Sequence, residues 1–180
     1  MKYVYIHGYG SSPNLQNAKV VALATIGHAC VVGYDSNDTA HNIESTLADK
    51  INALYDIEMI IAGTSLGGYW AARMAEKFNS RFVAINPCLN PTKSLAKYEA
   101  IPQTSLDSYT TVFAENNQCS GLILLDSEDE ILDSYSTKNR YEDRYPIVMF
   151  DGGNHRFAHI NESLTHIQHL ANGSLLHQKQ

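Results

Sequence analysis

Met59-Ile60-Ile61-Ala62-Gly63-Thr64-Ser65-Leu66-Gly67-Gly68-Tyr69-Trp70 is the stretch on which the reading of this chain turns. Its first four residues form a short apolar run of the kind that makes a strand covered on both faces. From Leu66 to Phe78 the period changes, and Leu66, Trp70, Met74 and Phe78 recur on one side at helical spacing. A strand therefore runs into a helix through Gly63-Thr64-Ser65-Leu66-Gly67, a G-x-S-x-G turn. Such a turn holds its serine in a strained conformation, with glycines two before and two after it so that strand and helix can approach closely. The hydroxyl then stands at the C-terminal end of the sheet, at the start of a helix whose dipole favours developing negative charge. The bland alternative is an ordinary glycine-rich turn. The flanks favour a nucleophile elbow.

Similar apolar runs recur on either side of this stretch at Tyr3–Ile6, Cys30–Gly33, Phe82–Ile85, Gly121–Leu125 and Ile147–Phe150. They are nearly continuous rather than alternating, as in parallel strands buried between helices. Helical patterns lie between most of them. His41–Tyr55 puts Ile43, Leu47, Ile51 and Leu54 on one face, with Asp38 or Thr39 as N-cap. Ile160, Leu164, Ile167 and Ala171 do the same near the C-terminus. Strand–helix alternation of this kind predicts an α/β three-layer sandwich with a mainly parallel sheet of about six strands. The interval from Asn86 to Ser120 is too long for a simple crossover, so residues 87–120 are expected to form a small cap-like insertion in a single domain over 1–180, with a helix around Leu106–Glu115.

A nucleophilic serine needs a base, and the base needs an orienting acid. The last apolar run leads into Asp151-Gly152-Gly153-Asn154-His155, which delivers a histidine on a flexible loop at the same sheet edge. His155 is the expected base. His159, His166, His169 and His177, in or beyond the terminal helix, read as surface residues. The run Gly121–Leu125 leads into Asp126-Ser127-Glu128-Asp129-Glu130-Ile131-Leu132-Asp133. Asp126 is read as ending the strand and satisfying local backbone donors, and Asp133 as opening the next helix. Asp129, three residues out, has the reach to meet the His155 ring and is the expected acid. A calcium loop lacks its spacing and central glycine here. The oxyanion hole needs two N–H donors: Leu66, just after the serine, and Tyr9, in the loop His7-Gly8-Tyr9-Gly10-Ser11-Ser12-Pro13 after the first strand. His7 is read as a structural hydrogen bonder in that turn.

Composition removes other classes. The 180 residues carry 19 acidic against 13 basic side chains, a net charge of -6, with no dense basic run, so a nucleic-acid binder is disfavoured. Apolar residues are 44% of the chain, too many for a disordered one. No apolar stretch approaches a membrane span, and the apolar run at the N-terminus breaks at His7, too early for a signal peptide. Cys30, Cys88 and Cys119 form neither a disulfide framework nor a zinc pattern and suit a reducing, cytoplasmic setting. The sequons at Asn37, Asn161 and Asn172 then read as chance. His155 and His159, four apart, lack the glutamate of a zinc-protease helix, so neither metal nor other cofactor is expected.

Ser65, Asp129 and His155 in that order, behind a His-Gly loop, resemble the α/β-hydrolase superfamily. Tyr-Ile-His-Gly-Tyr-Gly-Ser-Ser-Pro, Gly-Thr-Ser-Leu-Gly-Gly-Tyr-Trp, Asn86-Pro87, Asp129-Glu130-Ile131-Leu132-Asp133 and Gly153-Asn154-His155 are similar to the small bacterial YqiA/YcfP-type hydrolases. The likeness spans Tyr3 to about Leu170. It implies a compact single-domain protein with esterase-like activity, and some relatives lack the serine that this chain keeps. The expected function is a serine esterase or thioesterase acting on a small-molecule ester. The alternatives are a binding module on a hydrolase fold and, with nothing specific to favour it, an amidase. Tyr98, Tyr109 and Phe113 are the candidate pocket residues of the 87–120 segment.

Overall fold

The computed structural model describes residues 1–55, 58–115 and 117–174. Six strands, Lys2–Ile6 (β1), His28–Val32 (β2), Met59–Thr64 (β3), Arg81–Ile85 (β4), Gly121–Asp126 (β5) and Ile147–Phe150 (β6), form one sheet in the order β2-β1-β3-β4-β5-β6. Every neighbouring pair is parallel. All six apolar runs of the sequence are strands, with β2 beginning two residues earlier than expected. β3 and β5 are buried along their whole length, which is why they lack the alternation of a half-exposed strand.

Helices cover both faces. Ala40–Asn52 (α2), Leu66–Phe78 (α3), Pro91–Leu95 (α4), Gln103–Asp107 (α5) and Ser134–Tyr141 (α6) follow β2, β3, β4 and β5, while Ala18–Ala24 (α1) and Ile160–Ala171 (α7) follow β1 and β6. Strand side chains alternate between two cores. Val4, Ile6 and Ile61 pack with Leu47, Trp70 and Leu106, and Tyr3, Tyr5 and Ile60 pack with Val20, Leu23 and Ile167 on the opposite face. The two apolar layers are the main driving force for the sandwich. Thr39 caps α2 by accepting from the Asn42 N–H, and Asp133 caps α6 by accepting from the Ser136 N–H.

The 87–120 segment departs from expectation. There is no helix over Leu106–Glu115; α5 starts after Pro102 and ends by Asp107. The reason is local: Thr110-Thr111-Val112 is a β-branched run that resists helix, while Pro102 suits the position just before one. Asn90 caps α4, and Tyr109 and Phe113 plug into the core instead of extending a helix. α1 is an element the sequence pattern did not single out, because only seven residues separate Asn17 from its end at Ala24. No helix among the described residues is long and apolar enough to cross a membrane. His177 lies outside the described residues.

Candidate active site

β3 ends at Thr64 and α3 begins at Leu66, so Ser65 must make the whole turn between them. Its backbone sits at φ 56° and ψ -121°, a region that costs a non-glycine residue about 1–3 kcal/mol. Surrounding bonds enforce it. The Ser65 N–H donates to the Ile85 carbonyl, and the Ser65 carbonyl accepts from the N–H groups of Gly68, Tyr69 and Cys88. Close approach needs glycine on both sides. A Cβ on Gly63 would lie 2.1 Å from the Gly67 carbonyl oxygen, and one on Gly67 would lie 2.2 Å from that of Ile6.

The loop after β1 closes on the same point. A Cβ on Gly8 would stand 3.4 Å from that of Ser65. His7 stacks on Tyr34 with ring centroids 4.5 Å apart, its Nδ1 is 2.9 Å from the Gly8 carbonyl, and its Nε2 accepts from the Tyr34 N–H. Nδ1 therefore carries the proton and donates it to that carbonyl. Burial pushes the His7 pKa down, keeping the ring neutral. Among the described residues, the N–H groups of Tyr9 and Leu66 make no hydrogen bond within the protein, which leaves both free to donate to an oxygen beside Ser65.

β5 and β6 bring the carboxylate and the imidazole. His155 Nδ1 lies 2.8 Å from Asp129 Oδ2 and 3.0 Å from Oδ1. The Asp129 side chain is 1% exposed, and its Oδ1 also accepts from the N–H groups of Ile131 and Leu132 at 2.8 and 2.9 Å. The loop thus orients the acid, and the acid fixes the ring with its Nε2 open. The His155 N–H donates to the Glu130 carboxylate, which lowers the pKa of that exposed group. Ser65 and His155 line one cavity of about 460 Å³ at the C-terminal edge of the sheet. No hydrogen bond joins the Ser65 hydroxyl to the His155 ring, whose Nδ1 is taken by Asp129. Of the proposed pocket residues, Tyr98 lines the cavity, with its ring 4.9 Å from that of Tyr9. Tyr109 and Phe113, 5% and 0% exposed, belong to the core.

A second Asp–His pair lies beside the first, and here the sequence reading needs correction. His159 is partly exposed but not a free surface residue: its ring stacks on Phe150 and its Nδ1 is 2.7 Å from Oδ1 of the fully buried Asp126. Asp126 Oδ2 accepts from the N–H groups of Asn154 and Ala158 at 3.1 and 2.7 Å, across some thirty residues of chain. Its partners are distant, not local. Asn86 completes the clamp, accepting from the Asp126 N–H and donating to the Asn154 carbonyl at 3.0 Å. Gly153, at φ 78°, must be glycine because a Cβ there would stand 2.0 Å from Asp126 Oδ2. Asp126 thus anchors the loop that carries His155. Changing Asp126→Asn leaves one oxygen for the Asn154 and Ala158 N–H groups, removes the negative charge and sets an NH2 donor against the His159 Nδ1. The expected result is a loss of about 2 kcal/mol and faster amide exchange across residues 153–159. An unchanged exchange pattern by mass spectrometry would remove this anchoring role.

Histidines 155 and 159 therefore serve separate carboxylates, and among the described residues no cluster of three or more metal-ligating side chains occurs. The model of the family described as "Uncharacterised protein family (UPF0227)" matches residues 2–172. The chain belongs to this family. A UPF0227 relative from Yersinia pseudotuberculosis serotype O:1b is 30% identical over 172 residues, covering 92% of this chain and 96% of the relative. The likeness to YqiA/YcfP-type hydrolases is thereby placed within UPF0227.

Solved structures establish the fold. Est1E from Butyrivibrio proteoclasticus superposes with a TM-score of 0.76 at 14% identity, covering 96% of this chain and 88% of its own. Mouse alpha/beta hydrolase domain-containing protein 10 gives 0.73 at 18% identity, covering 96% and 90%. A structure from the description of LipS and LipT, two metagenome-derived lipolytic enzymes, gives 0.68 at 14%, covering 96% and 91%. This UPF0227 chain has the α/β-hydrolase fold.

Proposed function

We propose that this UPF0227 protein is a serine hydrolase that cleaves small carboxylic esters or thioesters. One observation carries the reading: a serine locked at positive φ opens into the same cavity as an imidazole that a buried carboxylate orients. Ser65 Oγ attacks the ester carbonyl while His155 Nε2 takes its proton. The tetrahedral oxygen is held by the Tyr9 and Leu66 N–H groups at the positive end of α3. As the intermediate collapses, the bond to the leaving oxygen or sulfur breaks and His155 returns the proton to it. Water then cleaves the acyl-enzyme through the same groups, giving the free acid and restoring Ser65. Asp129 holds the Nδ1–H tautomer and stabilises the imidazolium without itself taking the proton.

A binding module on the same fold draws support from one feature, the missing Ser65–His155 hydrogen bond. That bond is commonly long before substrate arrives and tightens in the complex. Labelling with a fluorophosphonate probe separates the readings. The expected outcome is a single adduct, mapped to Ser65 by peptide mass and absent from Ser65→Ala. Folded wild-type protein that takes up no label would favour the binding module. The three free cysteines suit work in a reducing compartment.

A further inference from the structure

The cavity is asymmetric in charge, and the asymmetry follows the two faces of the sheet. Toward the face covered by α4 it is walled by Leu95 and Tyr98, with Leu132 from the acid loop. Toward the face covered by α1 and α7 it presents Lys19, Arg156 and the Asn17 amide. No aspartate or glutamate is among the residues lining it, in a chain whose net charge is -6. Two cations thus line one cavity of an acidic protein, where an anion can meet them.

Neither cation is held in a salt bridge among the described residues. The Lys19 ammonium donates to the Arg156 carbonyl, which leaves two of its three protons uncommitted. The carboxylate whose charge acts on it, Asp126, already accepts from two backbone N–H groups and faces His159. The Arg156 guanidinium makes no hydrogen bond or ion pair among the described residues. Burial depresses the Lys19 pKa despite the opposing charge of Asp126, as it does for a partly desolvated cation that is incompletely paired.

Position assigns the cations to one half of the substrate. A leaving group must take its proton from His155, so it departs on the imidazole side of Ser65. Arg156 follows His155 in the chain, and Lys19 is hydrogen-bonded to Arg156. The acyl chain then has the Leu95–Tyr98 side.

We propose that the substrate is an ester or thioester whose leaving group bears an anion, a carboxylate or a phosphate, received by Lys19 and Arg156, with an apolar acyl chain on the opposite side. This rests on the Ser65 hydrolase reading and narrows it to a substrate class. The pair sits beside the reacting atoms, so it acts on binding more than on the chemical step and its loss appears mainly in KM.

The test uses three butyrate esters with closely matched phenol leaving groups: 3-carboxamidophenyl (neutral), 3-carboxyphenyl and 3-phosphonooxyphenyl butyrate. Wild type is expected to prefer an anionic ester over the neutral one by about tenfold in kcat/KM. The larger of the two ratios identifies carboxylate or phosphate. Raising salt should shrink the preference, because the Debye length falls from about 10 Å at 0.1 M to about 3 Å at 1 M. Lys19→Met with Arg156→Gln should bring the ratio close to one. A wild-type ratio of one or less, or a ratio that the double variant leaves intact, overturns the proposal while Ser65-dependent hydrolysis of the neutral ester stands. If the neutral ester is not cleaved in a Ser65-dependent way, the hydrolase reading fails instead. Calorimetric binding of phenyl phosphate and benzoate to wild type and the double variant then still reads the cation pair, and equal affinity in both proteins overturns it.

Discussion

His155→Ala is expected to lower kcat/KM for p-nitrophenyl butyrate by about 1,000-fold or more, with the folded structure retained. A serine hydroxyl is almost wholly protonated at neutral pH, so its attack depends on a base that accepts the proton as the bond forms. Among the described residues, the imidazole is the only such group placed both in the Ser65 cavity and against a buried carboxylate. Asp129→Asn should cost a similar factor by a different route. An amide at that position can donate to Nδ1, which turns the ring to the tautomer with its proton on Nε2, facing the serine. Combining the two substitutions should cost little beyond the larger single effect, since the residues act as one unit. Rates measured on Ser65→Ala, His155→Ala, Asp129→Asn and the double variant check this. Circular dichroism is the control for folding. Retention of activity within tenfold in His155→Ala would remove the imidazole from the mechanism.

The largest effect on stability is expected at Gly67. Alanine would gain about 1 kcal/mol of helix propensity. Against that, its methyl carbon would lie 2.2 Å from the Ile6 carbonyl oxygen and 2.5 Å from that of His7. These are backbone atoms at the end of a buried strand, unable to swing aside. Relief requires α3 to back away from β1, opening a gap in the core under Leu66 and Trp70. Overpacking of this kind costs about 3 kcal/mol or more, so the clash wins. For a domain of this size the melting temperature should fall by about 5 °C or more. Gly68→Ala is the graded comparison, because its methyl would meet the Gly63 carbonyl and Pro87 no closer than 3.2 Å. A smaller loss is expected there. Equal melting temperatures for Gly67→Ala and wild type, by calorimetry, would show that the turn can yield.

What was legible in the sequence divides along a physical line. The strands were readable because burial on both faces leaves continuous apolar runs, and α3 was readable to the residue because its turn and period agree. The contact between His155 and Asp129 was legible from their offsets past strand ends, which chain connectivity alone limits. The Asn86–Asp126–His159 clamp was not. It joins the ends of β4 and β5 to the start of α7, and nothing in the spacing of Asn86, Asp126 and His159 announces that contact. The acidic run hid it further, since Asp126 looks like one of five similar carboxylates until burial sets it apart. Lys19 was invisible for the same reason: the short α1 carries it to the site from the far side of the sheet. The missing helix over Leu106–Glu115 is a case of local propensity and tertiary plugging by Tyr109 and Phe113 outweighing a weak period.

The strand order also sets the sequence of events by which the site comes into being. β1 is made first, yet its partners are β2 and β3, so that Ile6 waits for Gly63, 57 residues downstream. The loop after β1 can meet Tyr34 once β2 is made, but it closes on Ser65 only when β3 and its turn have been synthesised. The carboxylate arrives some sixty residues after that and the imidazole last, on the far side of β6. Parallel pairings over such separations fold slowly compared with local ones. A nascent chain halted before β6 would carry an exposed serine turn beside an unfilled sheet edge. On the Ser65 hydrolase proposal, a chain that stops before β6 lacks the His155 imidazole and is expected to be inert.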